Sequence, residues 1–222
     1  MHLGQSVPRV EDDGLLKGVT RFGADLPKTV DTASAAVLRS PYPHALIQRI
    51  DAAAAEALPG VFGVLTRDDV KAWSKPFLVG VRQPMEHWSL AIERVRYAGE
   101  PVAVVIARDR YVAEDALELI EVEYEALDSV AEIEAAMSDD APLLHGEVGS
   151  NVVHDREFSY GQPEEAFAAA PHRLSVTTHF PRSMCTPIET FVVDAHYDVE
   201  EASYTVRSNF QGPFSLHAVM SR

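Results

Sequence analysis

The chain has 222 residues, of which 46% are hydrophobic, so it can bury either one large core or two small ones. Its 34 acidic and 19 basic residues give a formal net charge of −15, which argues against binding to nucleic acid or to an anionic membrane surface. No apolar run approaches the roughly 20 residues of a membrane span, and the first residues lack the apolar core of a signal peptide, so we expect a soluble, cytoplasmic protein.

A polar arm opens the chain, and we assign residues 1–17 to it. The first predicted strand, Thr32–Leu38, ends in a loop, Arg39–Ala45, where two prolines remove backbone donors. His44 lies in this loop. A histidine can bind a metal or carry a proton, but in a tight proline-rich loop it more often bonds to nearby backbone, and we favour that interpretation.

The next predicted elements are an alanine-rich helix, Ala52–Leu58, and a strand, Val61–Leu65, after which Thr66–Asp69 begins a turn or a helix. An irregular stretch follows over Lys71–Ser89. Its large aromatic side chains are either buried in a core or line a ligand channel, and we favour packing in a core because that is the commoner use of such side chains.

The clearest pattern in the sequence is a strand, a helix and a second strand. Val102–Ala107 is an unbroken apolar run, which predicts a strand buried on both faces. Asp109 is placed to cap a helix over Tyr111–Ile120, and an apolar pattern resumes at Val122. We expect a right-handed crossover that makes the two strands parallel neighbours, with the helix packed on the sheet.

Three short sequence motifs in this region, taken in order, resemble those of a known family. They are RVRYAGEPV at Arg94–Val102, AEDA at Ala113–Ala116 and VEYEAL at Val122–Leu127. Together they resemble the α/β hammerhead domain of the molybdenum-binding subunit of the xanthine dehydrogenase and aldehyde oxidase family, which also includes carbon monoxide dehydrogenase. The resemblance implies an α+β fold. We expect a hammerhead domain with a mixed sheet and packed helices over residues 18–130.

The composition changes after Val130, where an acid-rich, turn-rich stretch predicts a linker over residues 131–150. His145 and His154 are interpreted as polar linker groups, because no further ligand stands at a metal-binding spacing from either. The family resemblance continues here, and it implies that residues 151–222 are the first, incomplete part of a second α+β domain that binds molybdopterin.

This second part contains a predicted helix, Pro163–Ala169, and three predicted strands, Arg173–Phe180, Thr190–Val199 and Ala202–Ser208. Glu189 is the one acid in a proline-bounded turn between the first two strands. A catalytic base would need a raised pKa beside a substrate. We instead interpret Glu189 as a structural carboxylate that accepts hydrogen bonds from backbone amides.

The stretch SNFQGPF, residues 208–214, ends a strand and begins a helix. Taken alone, Gln211 would be a polar residue at a helix N-terminus. In the family a similar S-x-Q-x-P junction presents its glutamine to the molybdenum cofactor, so the resemblance implies that Gln211 binds the cofactor, with Gly212 and Phe214 as neighbours. A neutral amide can donate and accept hydrogen bonds without adding charge to an anionic centre.

The resemblance implies part of a molybdenum-dependent hydroxylase that oxidises an aldehyde or an N-heterocycle with oxygen from water. In the family the general base and most of the pterin contacts lie further along than Arg222, so we expect no catalytic residue and no direct metal ligand in this chain. The molybdenum-pterin cofactor would then be shared with the remaining part of the subunit, and the chain is either a truncated fragment or one piece of a split subunit.

In the family, iron–sulfur and FAD groups carry the electrons away. The resemblance therefore implies that these groups lie on partner subunits, since Cys185 is the only cysteine and cannot hold a cluster. We therefore expect the isolated chain to be inactive. An alternative of a different class is a structural or assembly module that keeps the hammerhead fold and binds no cofactor.

Overall fold

The computed structural model describes residues 3–78, 85–181 and 186–221. The chain divides into two compact units, which we call the central unit (Asp31–Arg173) and the terminal unit (Met1–Val30 with Leu174–Arg222). The described helices are short: α1 (Asp12–Leu16), a 3-10 helix (Gly23–Asp25), α2 (Ala53–Glu56), α3 (Arg67–Trp73), α4 (Arg110–Leu117), α5 (Ile133–Ala136), α6 (Pro163–Ala169) and α7 (Pro213–Met220). The described strands are β1 (Ser34–Arg39), β2 (Ala45–Asp51), β3 (Val61–Leu65), β4 (Phe77–Leu78), β5 (Glu86–His87), β6 (Arg94–Val95), β7 (Pro101–Ala107), β8 (Glu121–Ala126), β9 (Val193–Asp198) and β10 (Ser203–Ser208).

Strand β7 is the middle of a three-stranded sheet in the central unit, between β1 and β3. Side chains on both of its faces are buried, and Val102, Val105 and Ala107 have no exposed surface. A strand with neighbours on both sides and cover on both faces needs a continuous apolar sequence. The prediction that Val102–Ala107 is a central strand is therefore confirmed.

Helix α4 packs against this sheet. Its alanines Ala113 and Ala116 are fully buried in the same core cluster as Val105. Asp109 caps the helix, since its Oδ1 accepts a hydrogen bond of 2.9 Å from the backbone N–H of Val112. The predicted helix and its cap are both confirmed, although the helix ends at Leu117, earlier than expected.

The predicted parallel pairing is wrong. Strand β8 lies in a second three-stranded sheet with the order β6-β2-β8, and it pairs antiparallel with β2, to which we had assigned no element. Both edges of β7 are already occupied, by β1 and β3, so the chain that leaves α4 has no place beside β7. Every strand pairing in the described part of the chain is antiparallel, so the expected mixed sheet is not found, while the α+β class is confirmed.

The second sheet has its own core, in which Ala45, Val95 and Val102 have no exposed surface. Ile50 and Val122 pack against this cluster and also against the cluster beneath α4. The central unit therefore has two adjoining apolar clusters that share residues at their boundary.

His44 is 4% exposed and holds the end of the second sheet. Its Nδ1 lies 2.7 Å from the backbone oxygen of Asp128, and because a carbonyl oxygen only accepts, Nδ1 carries the proton. The interpretation as a backbone-bonding histidine is confirmed, but the partner is 84 residues away in sequence rather than nearby.

We expected the large aromatic side chains of the irregular stretch Lys71–Ser89 to be packed in a core, and this is not true of all of them. Trp73 is 73% exposed, whereas Trp88 is half-buried and Phe77 stacks on the ring of His87 at a centroid distance of 5.1 Å. Residues 79–84 of this stretch lie outside the described residues. Trp73 ends α3 and points its large ring into solvent, so packing was the wrong expectation for this side chain.

In the terminal unit β9 and β10 form an antiparallel hairpin, in register from Ser203 opposite Asp198 to Ser208 opposite Val193. The turn is fixed by Asp198, whose Oδ1 accepts from the backbone N–H groups of Glu200 and Glu201 at 2.9 and 3.0 Å. Two of the three strands predicted for this part of the chain are thus confirmed, and so is the helix over Pro163–Ala169, which is α6 of the central unit.

The third predicted strand, Arg173–Phe180, is wrong for this structure, since these residues form neither a strand nor a helix. Leu174, Val176 and Phe180 are 93%, 81% and 91% exposed. A β-strand needs a hydrogen-bonded neighbour, and no strand of the described chain pairs with this segment.

No helix among the described residues is long and apolar enough to cross a membrane.

Candidate cofactor site

The residues predicted to contact a cofactor lie in the terminal unit, where β10 passes into α7. Gln211 and Gly212 occupy the connection between these elements, and Phe214 is in the first turn of the helix. Gln211 is exposed, Gly212 is half-buried and Phe214 is 91% exposed. The three residues therefore sit together, with two side chains open to an incoming group.

Local interactions turn the chain from strand to helix. After β10 the hydroxyl of Ser208 accepts a bond of 3.2 Å from the backbone N–H of Phe210. Pro213 begins α7, where its fixed φ suits a helix and its missing N–H would have had no intrahelical partner. The oxygen of Gly212 then accepts the first helical bond, from the N–H of Leu216 at 2.9 Å.

Gly212 also makes room for an aromatic ring. A Cβ at this position would lie 3.1 Å from Cε1 of Phe210, which is closer than side chains normally approach. Because Gly212 is the N-cap residue, no side chain at that position satisfies the amides of the first turn of α7. The junction thus offers backbone N–H groups beside the amide of Gln211.

Asn209 was not predicted as a site residue, although it lies two positions before Gln211. Its Oδ1 accepts from the backbone N–H of Val192 at 3.1 Å, and its Nδ2 donates to the oxygen of Thr190 at 2.9 Å. These bonds join the junction to the segment that leads into β9. An asparagine at a strand end favours bonds to backbone, but the partners are 17 and 19 residues away and no local pattern in the sequence identifies them.

Glu189 precedes this segment and has a structural role. Its Oε1 accepts a hydrogen bond of 2.7 Å from the backbone N–H of Gly23, which confirms the interpretation as a carboxylate that holds backbone. Gly23 is required there, because a Cβ would lie 2.6 Å from Cγ1 of Val192.

A cleft of roughly 210 Å³ adjoins these residues, and Gln211 does not line it. The lining residues are Gly23, Leu26, Glu189, Val192, Arg207, Ser208 and Asn209.

The other candidate groups are not part of this junction. His145 lies in the central unit with its Nδ1 3.1 Å from Oε1 of Glu147, and His154 is exposed. The pKa of Glu147 is lowered, first by a hydrogen bond from its own backbone and further by His145. Cys185 lies outside the described residues. Among residues 3–78, 85–181 and 186–221, no three His, Cys, Asp or Glu side chains are grouped closely enough to hold a metal ion.

The chemistry of the junction suits a bulky anionic group better than a bare metal ion. An uncharged amide both donates and accepts, and uncapped amides at a helix start carry a partial positive charge that favours anions. Gln211 supplies the amide, and α7 supplies the helix start. A pterin cofactor, which brings phosphate and an anionic metal centre, therefore fits the groups present.

Comparison with known proteins identifies the family of the chain. Residues 17–128 match the family model of the a/b hammerhead domain of aldehyde oxidase and xanthine dehydrogenase. Residues 144–222 match the model of the molybdopterin cofactor-binding domain. The chain therefore belongs to the aldehyde oxidase and xanthine dehydrogenase family of molybdopterin-binding oxidoreductases, and the resemblance drawn from the sequence is confirmed.

The relatives include enzymes with several names. The carbon monoxide dehydrogenase large chain of Afipia carboxidovorans is 34% identical over 99% of this chain and 28% of the relative. The nicotine 6-hydroxylase large subunit of Paenarthrobacter nicotinovorans is 35% identical over 99% of this chain and 27% of the relative. Among solved structures, quinoline 2-oxidoreductase from Pseudomonas putida 86 has a TM-score of 0.82 and 35% identity, covering 95% of this chain and 27% of that one. The chain thus spans little more than a quarter of the length of these relatives.

Proposed function

We propose that this chain provides the hammerhead domain and the first part of the molybdopterin-binding domain of a molybdenum-dependent hydroxylase. In this division residues 1–17 are an arm, residues 18–130 the hammerhead domain, residues 131–150 a linker, and residues 151–222 the first part of the cofactor domain. Support comes from the two family models, which match residues 17–128 and 144–222.

The observation that carries the proposal is the position of Gln211. It lies exposed at the β10–α7 junction, beside the uncapped start of a helix. Its amide would hold the cofactor by donating one hydrogen bond and accepting another, while Gly212 lets the backbone come close and the exposed ring of Phe214 covers the group. When bound, the molybdenum cofactor supplies the two-electron redox chemistry by which oxygen from water is inserted into a C–H bond.

For substrate, we propose an aldehyde or an N-heterocycle. The names of two relatives, nicotine 6-hydroxylase and quinoline 2-oxidoreductase, refer to N-heterocyclic compounds, which supports the second class. For partners, we propose the rest of the molybdenum subunit together with iron–sulfur and FAD subunits, in the cytoplasm. Relatives named as a large chain, a large subunit and subunit gamma of a complex support an assembly of several chains.

The test is to purify the chain with its natural partners and to measure molybdenum and pterin per chain. We expect both near one equivalent per chain. We expect the Gln211→Ala variant to bind the molybdenum-pterin cofactor less tightly when molybdate and pterin are limiting. A complex that forms normally but contains neither molybdenum nor pterin would contradict the proposal and would leave the assembly module as the function.

A further inference from the structure

The terminal unit contains a side chain that ties the Gln211 junction to another part of the chain. Asn209 uses both ends of its amide, accepting from the N–H of Val192 at 3.1 Å and donating to the oxygen of Thr190 at 2.9 Å. The two bonds come from one planar group, so they fix the direction of the Asn209 side chain as well as its position. The backbone of residue 209 is thereby held against residues 190–192.

The distance along the chain from this anchor to Gln211 is short. Between them lies only Phe210, whose N–H is bonded to the hydroxyl of Ser208 and whose ring fits against Gly212. Beyond Gln211 the chain enters α7, which Pro213 begins. Gln211 is therefore fixed on one side by the Asn209 anchor and on the other by a helix start.

We propose that Asn209 is a positioning residue, which directs the amide of Gln211 toward the cofactor by holding the junction to residues 190–192. This inference rests on the proposed role of Gln211. Without the anchor, the end of β10 could shift by an ångström or so while the hairpin and the helix remain folded. A displacement of that size costs up to about a hundredfold in rate when it misaligns a reacting group.

The chain offers a matched control in the central unit. Asn151 also bonds to backbone with both ends of its amide, accepting from the N–H of Leu144 at 3.2 Å and donating to the oxygens of Ala136 and Pro142 at 3.1 and 3.0 Å. Asn151→Ala removes the same type of interaction far along the chain from Gln211. Any effect that follows from the general loss of such bonds appears in both variants.

The first measurement is amide hydrogen exchange on the full chain without cofactor. Asn209→Ala should speed exchange by about tenfold or more in peptides that contain Val192 and residues 209–212, with little change in α7 beyond its first turn. Asn151→Ala should leave these peptides unchanged and affect residues 136–144 instead. Unchanged exchange at the junction in Asn209→Ala would overturn the inference, whatever the role of Gln211.

The second measurement is a double-mutant cycle in the assembled enzyme, with rates expressed per bound molybdenum. Asn209→Ala should lower kcat about tenfold or more while KM changes little, and it should cause no further loss in a Gln211→Ala background, because its effect passes through Gln211. Losses that multiply would mean that Asn209 acts independently, which contradicts the inference. A Gln211→Ala variant with a normal rate would instead contradict the proposed role of Gln211.

A third variant separates the two hydrogen bonds. Asn209→Asp keeps an acceptor for the N–H of Val192 but places a second carboxylate oxygen against the oxygen of Thr190, where a donor is needed. We expect its rate to resemble that of Asn209→Ala at neutral pH and to recover as the pH is lowered and the carboxylate gains a proton. A wild-type rate for Asn209→Asp at neutral pH would show that the bond to Thr190 is not required for positioning and would contradict the inference.

Discussion

At the scale of single residues, the role proposed for Gln211 depends on a side chain that is polar without being charged. In the assembled enzyme, Gln211→Ala should lower turnover by roughly a hundredfold, the usual effect of losing one oriented donor, which is about 3 kcal/mol in the transition state. Gln211→Glu should be worse, since it removes the donor and adds a like charge. The measurement is kcat for each variant at equal molybdenum content.

Pro213→Ala is the control for this prediction. Pro213 begins α7, so replacing it disturbs the helix start without changing the amide that we propose binds the cofactor. We expect a lower unfolding temperature with a smaller effect on rate per molybdenum. A near-normal rate for Gln211→Ala at full molybdenum content would contradict the proposed role and would show that Gln211 only forms part of the helix start.

Asp109 gives a prediction that depends on pH. The backbone N–H of Val112 donates to its carboxylate and holds the pKa of Asp109 below the ordinary value of 3.8. A carboxyl group whose pKa is lower in the folded state stabilises the fold above its unfolded pKa, and this contribution is lost as the pH falls through the folded pKa. Asp109→Ala should therefore be less stable than wild type at neutral pH, and the difference should shrink as the pH falls below about 4.

Urea unfolding of both proteins, at pH 7 and at successively lower pH, measures this difference. Asp109→Asn is the matched variant, because it keeps an acceptor for the N–H of Val112 but cannot ionise. Its stability relative to wild type should improve on acidification. A deficit of Asp109→Ala that is the same at every pH would show that the charge of Asp109 contributes nothing.

Residues with local partners were predictable, and residues with distant partners were not. The cap Asp109 bonds three residues away, so the sequence pattern alone identified it. Gln211 could be identified as a candidate only because the sequence around it resembles a motif of the family. An exposed glutamine before a helix has no other distinguishing feature. The roles of Asn209 and His44 depend on backbone groups 17 to 84 residues away, and such contacts exist only once the chain has folded.

At the scale of elements, the interior of β7 is where substitution should matter most in the central unit. Val105 has no exposed surface and is among the largest fully buried side chains. Val105→Ala removes two methyl groups and leaves a cavity, so we expect a loss of about 2 kcal/mol in the free energy of unfolding. Chemical denaturation monitored by circular dichroism measures it.

Val37→Ala is the control on the neighbouring strand β1. Val37 pairs with Val104 in the same sheet but is 37% exposed, so the same change should cost less than about 1 kcal/mol. Both variants make the same Val→Ala change in a strand of this sheet, and only the buried one loses core packing. Equal losses for the two variants would mean that propensity rather than burial sets the stability of this sheet.

The elements themselves were largely predictable, but their pairing was not. The apolar run of β7 and the helical spacing of α4 depend on residues close together in sequence. The partner of β8 depends on which sheet edges are free after β1 and β3 have bound β7, and the pattern of β8 carries no information about that. Likewise, Arg173–Phe180 has the alternation of a strand, but alternation does not supply the neighbour that a strand requires.

At the scale of the whole molecule, the chain combines a well-packed central unit with a terminal unit that exposes many apolar side chains. The central unit has the two core clusters described above. The terminal unit exposes Leu174, Phe180, Ile188 and Phe214 by 84% or more. Large apolar side chains that are exposed to this extent favour association.

We therefore predict that the purified chain self-associates, and that Leu174→Ser with Phe180→Ser weakens association by about tenfold or more, because burying each such side chain is worth about 1.5–3 kcal/mol. Sedimentation velocity over a range of concentrations measures the effect. Phe62→Ser is the matched control, since Phe62 is 67% exposed but stands on β3 of the central unit, and it should change association little.

A chain that remains monomeric at every concentration, or an equal effect of Phe62→Ser, would show that the exposed segment of the terminal unit does not drive association. The net charge of −15 opposes association through repulsion, so added salt should strengthen the self-association of the wild type.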